Sequence, residues 1–453
     1  MTSLLIAARA LVAAPPAASL RGPAPSDAPV PTPSAPAAAP GEPGTPAAAG
    51  GISPDAPADP PGDGHQASRV LSPGWLRVDG GVIAEVGEGP PPGPPDIRLQ
   101  AGTLAPGLVD LQVNGFFGYD MVDADESGWQ TVVTRLPETG VTAFLPTFIT
   151  APVRVQAAAL RRTEGLLPRL PAGARVLGVH LEGPFLSEKR RGAHNPAWLT
   201  DPTPDALALL LETGLVKLVT LAPEREGGLD AVRTLTESGV LVSVGHSDAT
   251  AEQVAQAADA GARKVTHLFN AQSGIHHRAP GVAAQALADP RLHPGLILDL
   301  HHVAPVAARL AFNAAPGRIV LVTDAASAAG MPPGRYELGG EPIDLPADGP
   351  PLRADGAIAG SALRLDAAVG NAIALGVGTA AAVDAATRVP ADLIGRPDLG
   401  RLAPGAAADL TWLAPDGSGA LRARRTWVAG AEVWNAETRG SGGSSPRDER
   451  TTR

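Results

Sequence analysis

The sequence predicts an α/β protein, a (β/α)8 TIM-like barrel carrying a small β-sandwich built from both termini. Three observations lead there. Eight short apolar runs recur between about residues 107 and 402, most of them followed by a stretch of helical composition. The segments flanking that block on both sides read as short strands and hairpins. Reactive polar side chains fall where the apolar runs end, which is where barrel enzymes keep their chemistry.

A chain of 453 residues can bury one large domain and a smaller one, and its 3% aromatic content means a core of Leu, Val, Ala and Ile. Residues 1–13 read as a first strand rather than a secretory leader, because a basic start is missing and Arg9 interrupts the apolar run. Residues 14–65 are almost all Ala, Pro, Gly, Ser, Thr or Asp, too poor in apolar surface to offset the entropy of ordering, so a disordered insertion is expected. Asp79-Gly80-Gly81 separates Trp75–Val78 from Val82–Val86, a hairpin signal. The same style returns in Asp409–Leu413, then in Arg425–Val428 and Glu432–Trp434 around Ala429-Gly430. Residues 1–13, 66–106 and 403–436 are therefore assigned to the small domain, 107–402 to the barrel and 437–453 to a disordered tail.

The eight barrel runs are Leu108–Val113, Ala143–Ile149, Val176–Leu181, Val216–Leu221, Leu241–Val244, Lys264–Leu268, Leu296–Leu300 and Ile319–Thr323, with helical composition in segments such as Pro204–Leu211 and Ala251–Ala260. They lead into Gln112 and Asn114, Thr147, His180 and Glu182, Glu224, His246, His267 and Asn270, His302, and Asp324. Strand capping accounts for Thr147 and Glu224, not for a ring of imidazoles and carboxylates. With no cysteine, disulfides, thiolate metal sites and cysteine nucleophiles are excluded. A net charge of −10 argues against a nucleic-acid partner, and no run of eighteen apolar residues is present to span a membrane.

Glu182, His246 and His267 close strands three, five and six. Three nitrogen and oxygen ligands leave one position of a tetrahedral cation open, the arrangement of a catalytic zinc site, where bound water ionises near pH 7. Asp324, at the end of strand eight, is placed to take a proton from that water and return it to a leaving amine, although Asp is also a good helix N-cap. His194, in Gly192-Ala193-His194-Asn195-Pro196, and His302 can donate to a developing oxyanion. Neighbouring His301 should face the other way and be structural. Arg278, in a loop beyond strand six, suits bidentate phosphate contact, and equally suits plain surface solvation.

These residues sit in phrases that resemble the N-acetylglucosamine-6-phosphate deacetylases of the amidohydrolase superfamily. The phrases are Pro106–Gly115, His180-Leu181-Glu182-Gly183-Pro184-Phe185, Gly192–Pro196, Leu221-Ala222-Pro223-Glu224, Gly245-His246-Ser247-Asp248-Ala249, Thr266–Ala271, Val322-Thr323-Asp324-Ala325, Gly360-Ser361-Ala362, and Pro404-Gly405 with Ala408-Asp409-Leu410. The resemblance covers roughly residues 66–436 and the first strand. It implies that Glu182, His246 and His267 bind metal and that Asp324 is the acid/base. It places Ala193, His194, Asn270, Ala271, Arg278 and His302 around the substrate, with Arg278 at the phosphate and supplied across a homodimer, and has the loop Ile358-Ala359-Gly360 close over it. Many amidohydrolases carry His-x-His at the end of strand one and bind two metals. Gln112 and Asn114 stand there in this chain, so one divalent metal per subunit is expected, zinc first, with Fe²⁺, Mn²⁺ or Co²⁺ as alternatives.

The expected reaction is hydrolysis of N-acetylglucosamine 6-phosphate to the amino sugar and acetate by a cytoplasmic enzyme. Two alternatives stay open: the same chemistry on another substrate such as N-acetylgalactosamine 6-phosphate, and a non-catalytic amidohydrolase-like scaffold that has lost the strand-one histidines.

Overall fold

The computed structural model describes residues 3–14 and 67–439. The insertion expected over 14–65, apart from Ala14, lies outside the described residues, as does the expected tail beyond Arg439; residues Ala436–Arg439 form a helical turn.

The centre of the chain is a parallel barrel whose strands follow in sequence order: Leu108–Val113, Val141–Ile149, Val179–Glu182, Val216–Leu221, Leu241–Val244, Lys264–Val265, His293–Ile297 and Val320–Val322. Each pairs with the next in parallel. Strands one and eight meet where the Asp324 amide donates to the Gln112 carbonyl at 2.9 Å and Val113 bridges Ala325. A helix follows every strand, among them Val153–Leu166, Pro204–Leu211 and Ala251–Asp259, and covers the outer face. The first two strands are almost wholly buried, as parallel strands sheathed on both sides must be, so that even their polar residues Asp110, Gln112, Thr142 and Thr147 are enclosed.

Three of the expected strands move. Gly178, at φ +133°, detaches Arg175-Val176 from the third strand, which begins at Val179. The sixth strand stops at Val265, just before the backbone turns through His267 at φ +28°. The seventh runs over His293–Ile297 rather than Leu296–Leu300, because Leu300 is left-handed at φ +67° and the Asp299 carboxylate accepts from the amides of His301 and His302. An apolar run marks a buried segment without marking where its hydrogen bonding ends.

The small domain has two sheets. The first combines Leu4–Ala8, Gly74–Asp79, Val82–Glu88 and Ile97–Leu99; the second combines Leu11–Ala13, Arg69–Leu71 and Thr103–Pro106 with C-terminal strands Leu410–Pro415, Leu421–Val428 and Ala431–Asn435. Ile6, Leu76 and Ile83 of the first meet Leu11, Leu104, Leu410 and Trp427 of the second in a core of their own. A hairpin, Gly334–Leu338 with Glu341–Leu345, follows strand eight and has no counterpart in the sequence reading. Leu338, Ile343 and Leu345 pack on Ala326, Ala328 and Ala359, which sets the hairpin beside the C-terminal end of the barrel.

Candidate active site

At that end the strands turn abruptly. His246, His267 and Asp324 all have positive φ, at 47°, 28° and 52°, and Ala271 has 48°. Such conformations are unfavourable for residues with a Cβ and persist where the surroundings dictate them. Their clustering around one cavity of about 310 Å³ marks the site.

Glu182, His246 and His267 converge beneath this cavity. Glu182 Oε1 lies 3.2 Å from His246 Nε2 and 3.1 Å from His267 Nε2, and the two Nε2 atoms are 3.0 Å apart. All three residues are buried. Both imidazoles are engaged on the far side: His246 Nδ1 donates to the Arg190 carbonyl at 2.9 Å and His267 Nδ1 to the Asn270 carbonyl at 3.2 Å. Those partners assign the protons to Nδ1 and turn two Nε2 lone pairs toward each other and toward a carboxylate. Three electron-rich atoms repel unless a cation or a proton lies between them. A tetrahedral cation with bonds of about 2.1 Å separates its ligands by about 3.4 Å, close to the spacing present, so the donor set fits a divalent metal. Among the described residues this is the one His/Cys/Asp/Glu cluster with metal-binding geometry. Larger depressions lie around Arg364 and Arg422 (about 930 Å³) and around Arg309 and Phe312 (about 880 Å³), without such a set.

Asp324 lines the same cavity. Its Oδ1 accepts from Asn114 Nδ2 at 2.7 Å and from Gln112 Nε2 at 3.0 Å, and Gln112 Nε2 also reaches Glu182 Oε1 at 3.2 Å. The two amides thus tie the acid/base candidate to the ligand carboxylate. Burial, and then the Glu182 charge, raise the Asp324 carboxyl above its ordinary value. Glu182 itself stays well below the usual carboxylate range: burial opposes this, but His246 and His267 outweigh it. Burial likewise pulls His246 down, and the hydrogen bond to Glu182 more than reverses it, so without a cation the cluster favours taking up a proton.

His194 has the opposite tautomer. The Thr150 amide donates to its Nδ1 at 3.3 Å, which leaves the proton on Nε2, 3.2 Å from His246 Nε2. Burial, with His246 nearby, pushes its pKa down to about 3, so it is a neutral donor at pH 7. His302 lines the cavity with Nδ1 held 2.7 Å from Asp299 Oδ2.

Ala193, Asn270, Ala271, Ile358 and Gly360 also line the cavity, whereas Ala359 is buried against the hairpin core. Arg278 is exposed and does not line it. His180 points into the barrel, 3.2 Å from Thr147 Oγ1 and 2.8 Å from Thr220 Oγ1. His301 is exposed. Thr150 and Asp299, which orient His194 and His302, and Leu338, Lys189 and Arg190 on the cavity wall are not among the residues the sequence singles out. Asp299 carried a usable signal, a carboxylate three residues before a histidine; Thr150 carried none.

No protein-family model matches the chain. The N-acetylgalactosamine-6-phosphate deacetylase of Escherichia coli O157:H7 is 38% identical over 376 residues, 81% of this chain and 97% of that protein. The N-acetylglucosamine-6-phosphate deacetylase of Danio rerio is 39% identical over 352 residues, 73% and 84% of the two chains. Among solved structures, an N-acetyl-D-glucosamine-6-phosphate deacetylase variant from Mycobacterium smegmatis, in complex with N-acetyl-D-glucosamine 6-phosphate, superposes with a TM-score of 0.78 at 31% identity, covering 96% of this chain and all of that one. The Thermotoga maritima N-acetylglucosamine-6-phosphate deacetylase gives 0.73 at 28% identity, covering 81% and 96%.

Proposed function

The chain belongs to the N-acetylglucosamine-6-phosphate deacetylase family of the amidohydrolase superfamily, and from that premise we propose what its side chains do. The reaction is hydrolysis of N-acetyl-D-glucosamine 6-phosphate to D-glucosamine 6-phosphate and acetate, in amino-sugar metabolism. The observation that carries the mechanism is the convergence of Glu182, His246 and His267 beside Asp324 under one small cavity.

Glu182, His246 and His267 would hold one divalent metal, zinc by its preference for such nitrogen and oxygen donors, with Fe²⁺, Mn²⁺ or Co²⁺ as substitutes. When bound, the metal supplies Lewis acidity and lowers the pKa of a coordinated water to about 7. Asp324 accepts the proton of the attacking water and hands it to the nitrogen as the C–N bond breaks. His194 donates Nε2–H to the acetyl oxygen as negative charge grows there. His302, fixed by Asp299, orients the sugar, and Ala193, Asn270, Ala271, Ile358 and Gly360 enclose it, with Ala359 anchoring their loop. Gln112 and Asn114 donate to the two carboxylates instead of binding a second metal.

Arg278 is our phosphate contact, supplied across a homodimer. Its exposure away from its own cavity supports this, as do exposed Ile275, Leu300, Val306 and Leu310 on the sixth and seventh βα units, apolar side chains that a partner would cover. A phosphorylated sugar does not cross a bilayer unaided, which favours a cytoplasmic location; among the described residues no helix is long and apolar enough to span a membrane. The E. coli relative, 38% identical where the glucosamine enzymes are 37–39% identical, supports N-acetylgalactosamine 6-phosphate as the alternative substrate.

Asp324→Asn tests the assignment. Acetate release from N-acetylglucosamine 6-phosphate should fall roughly 10²–10⁴-fold with metal content unchanged. Near-normal turnover would overturn the role of Asp324.

A further inference from the structure

A chain of contacts runs behind His246. The segment after strand three wraps it: the Ser187 amide donates to the His246 carbonyl at 2.9 Å, and a Cβ added to Gly192 would lie 3.1 Å from the ring at Cε1. In the short helical turn Glu188–Arg190, the Arg190 carbonyl accepts the His246 Nδ1 proton at 2.9 Å. No side chain of that turn is buried, so apolar packing does not hold it. Charge does. Asp248 Oδ1 accepts from Arg190 Nε at 2.8 Å and Nη2 at 2.7 Å, and Asp248 Oδ2 accepts from the Lys189 ammonium. Asp248 is pinned in turn by Glu224, whose oxygens accept from the Asp248 amide at 2.6 Å and the Ser247 hydroxyl at 2.7 Å.

We propose that Asp248 is a positioning residue for the metal centre, clasping Arg190 so that the Arg190 carbonyl holds the His246 ring. The proposal rests on the reading of Glu182, His246 and His267 as metal ligands. A ligating imidazole must offer an unprotonated Nε2 at a fixed place, and the acceptor on its Nδ1–H sets both tautomer and ring plane. A carbonyl on a surface turn is only as fixed as the turn. One carboxylate shared by two cations and backed by a second carboxylate's backbone contact is a network rather than a lone surface pair, the arrangement in which exposed charges fix geometry. Glu224 lies in the turn after strand four without lining the cavity, and the network gives it a role: it braces the turn that carries Asp248.

The test is Zn²⁺ affinity, read by competition with a chromophoric chelator, with the melting temperature of each metal-free variant as the folding control. Asp248→Ala and Arg190→Ala should each weaken Zn²⁺ binding about 10–100-fold. The double variant should be no weaker than the singles, because both act through one contact. Asp248→Asn keeps an acceptor for Arg190 and should recover most of the loss. Wild-type affinity in Asp248→Ala, additive losses in the double variant, or no recovery in Asp248→Asn would each overturn the clasp. If Asp248→Ala does not fold, Arg190→Ala and Asp248→Asn decide the matter alone. His246→Ala separates the two levels: if it too leaves Zn²⁺ affinity unchanged, the ligand reading fails, whereas loss there with none in Asp248→Ala and Arg190→Ala defeats only the clasp.

Discussion

Positive φ at His246, His267 and Asp324 implies backbone strain of about 1–3 kcal/mol at each. That strain is held by the contacts that aim the side chains, the Arg190 and Asn270 carbonyls and the Gln112 and Asn114 amides. Beneath them the barrel interior is unusually polar. Lys264 is fully buried, its Nζ has no hydrogen-bond partner among the described residues, and burial pushes its pKa down to about 8. Gly295 leaves room for it: a Cβ there would lie 3.0 Å from Nζ. Asp110, also buried, accepts from Thr323 Oγ1 at 2.6 Å, yet burial pushes its pKa up to about 7. Between about pH 4, where the carboxyl titrates in the unfolded chain, and about pH 7, the folded state keeps a proton the unfolded state has released. The resulting stability is fully present below about pH 4 and gone above about pH 7, a difference of about 4 kcal/mol. Asp110→Asn should abolish that dependence, so urea unfolding of metal-free protein should show the wild type losing ground to the variant as pH rises through this window. A constant difference would mean that Asp110 is ionised in the fold. At this scale Glu182, His246, His267 and Asp324 stood out because they follow apolar runs, and His194 because of the phrase Gly192-Ala193-His194-Asn195-Pro196. Thr150 and the new role of Asp248 were not, since a residue that orients another is identified by a partner distant in sequence.

Among the elements, the short loop after strand three is closely packed against the end of strand two. Gly183 has φ +86°, and a Cβ there would lie 2.2 Å from Thr150 Oγ1, whose residue orients His194. Gly183→Ala should therefore destabilise by about 1–3 kcal/mol through overpacking and also lower kcat by displacing His194, measured by thermal unfolding and acetate release. Destabilisation without any kcat effect would mean that Thr150 does not govern His194. The strand count and order were legible from apolar runs, and the ends were not, because Gly178, His267 and Leu300 impose turns through backbone conformations that periodicity does not register. The hairpin Gly334–Leu338 with Glu341–Leu345 escaped for a related reason: only Leu338, Ile343 and Leu345 of its strands are buried, too thin a pattern to separate from loop.

For the whole molecule, the small domain's separate core and the barrel were both readable from where hydrophobic period changes along the chain. The homodimer that the resemblance implies has no such pattern in the sequence, because residues a partner would cover read as ordinary surface. If Arg278 of the partner subunit completes each site, Arg278→Ala and Asp324→Asn should complement. A mixed dimer contains one site with Asp324 intact and the arginine supplied by the other chain, so random mixing of the two impaired variants restores up to about a quarter of wild-type sites. Absence of any recovery on mixing, with exchange of subunits verified, would return Arg278 to its own chain. The most direct test of a single catalytic metal is a Zn²⁺ titration of metal-free protein, following acetate release from N-acetylglucosamine 6-phosphate. Release should be absent at the start and rise to a plateau at one Zn²⁺ per chain, whereas full release without metal, or a plateau at two, would overturn the one-metal site.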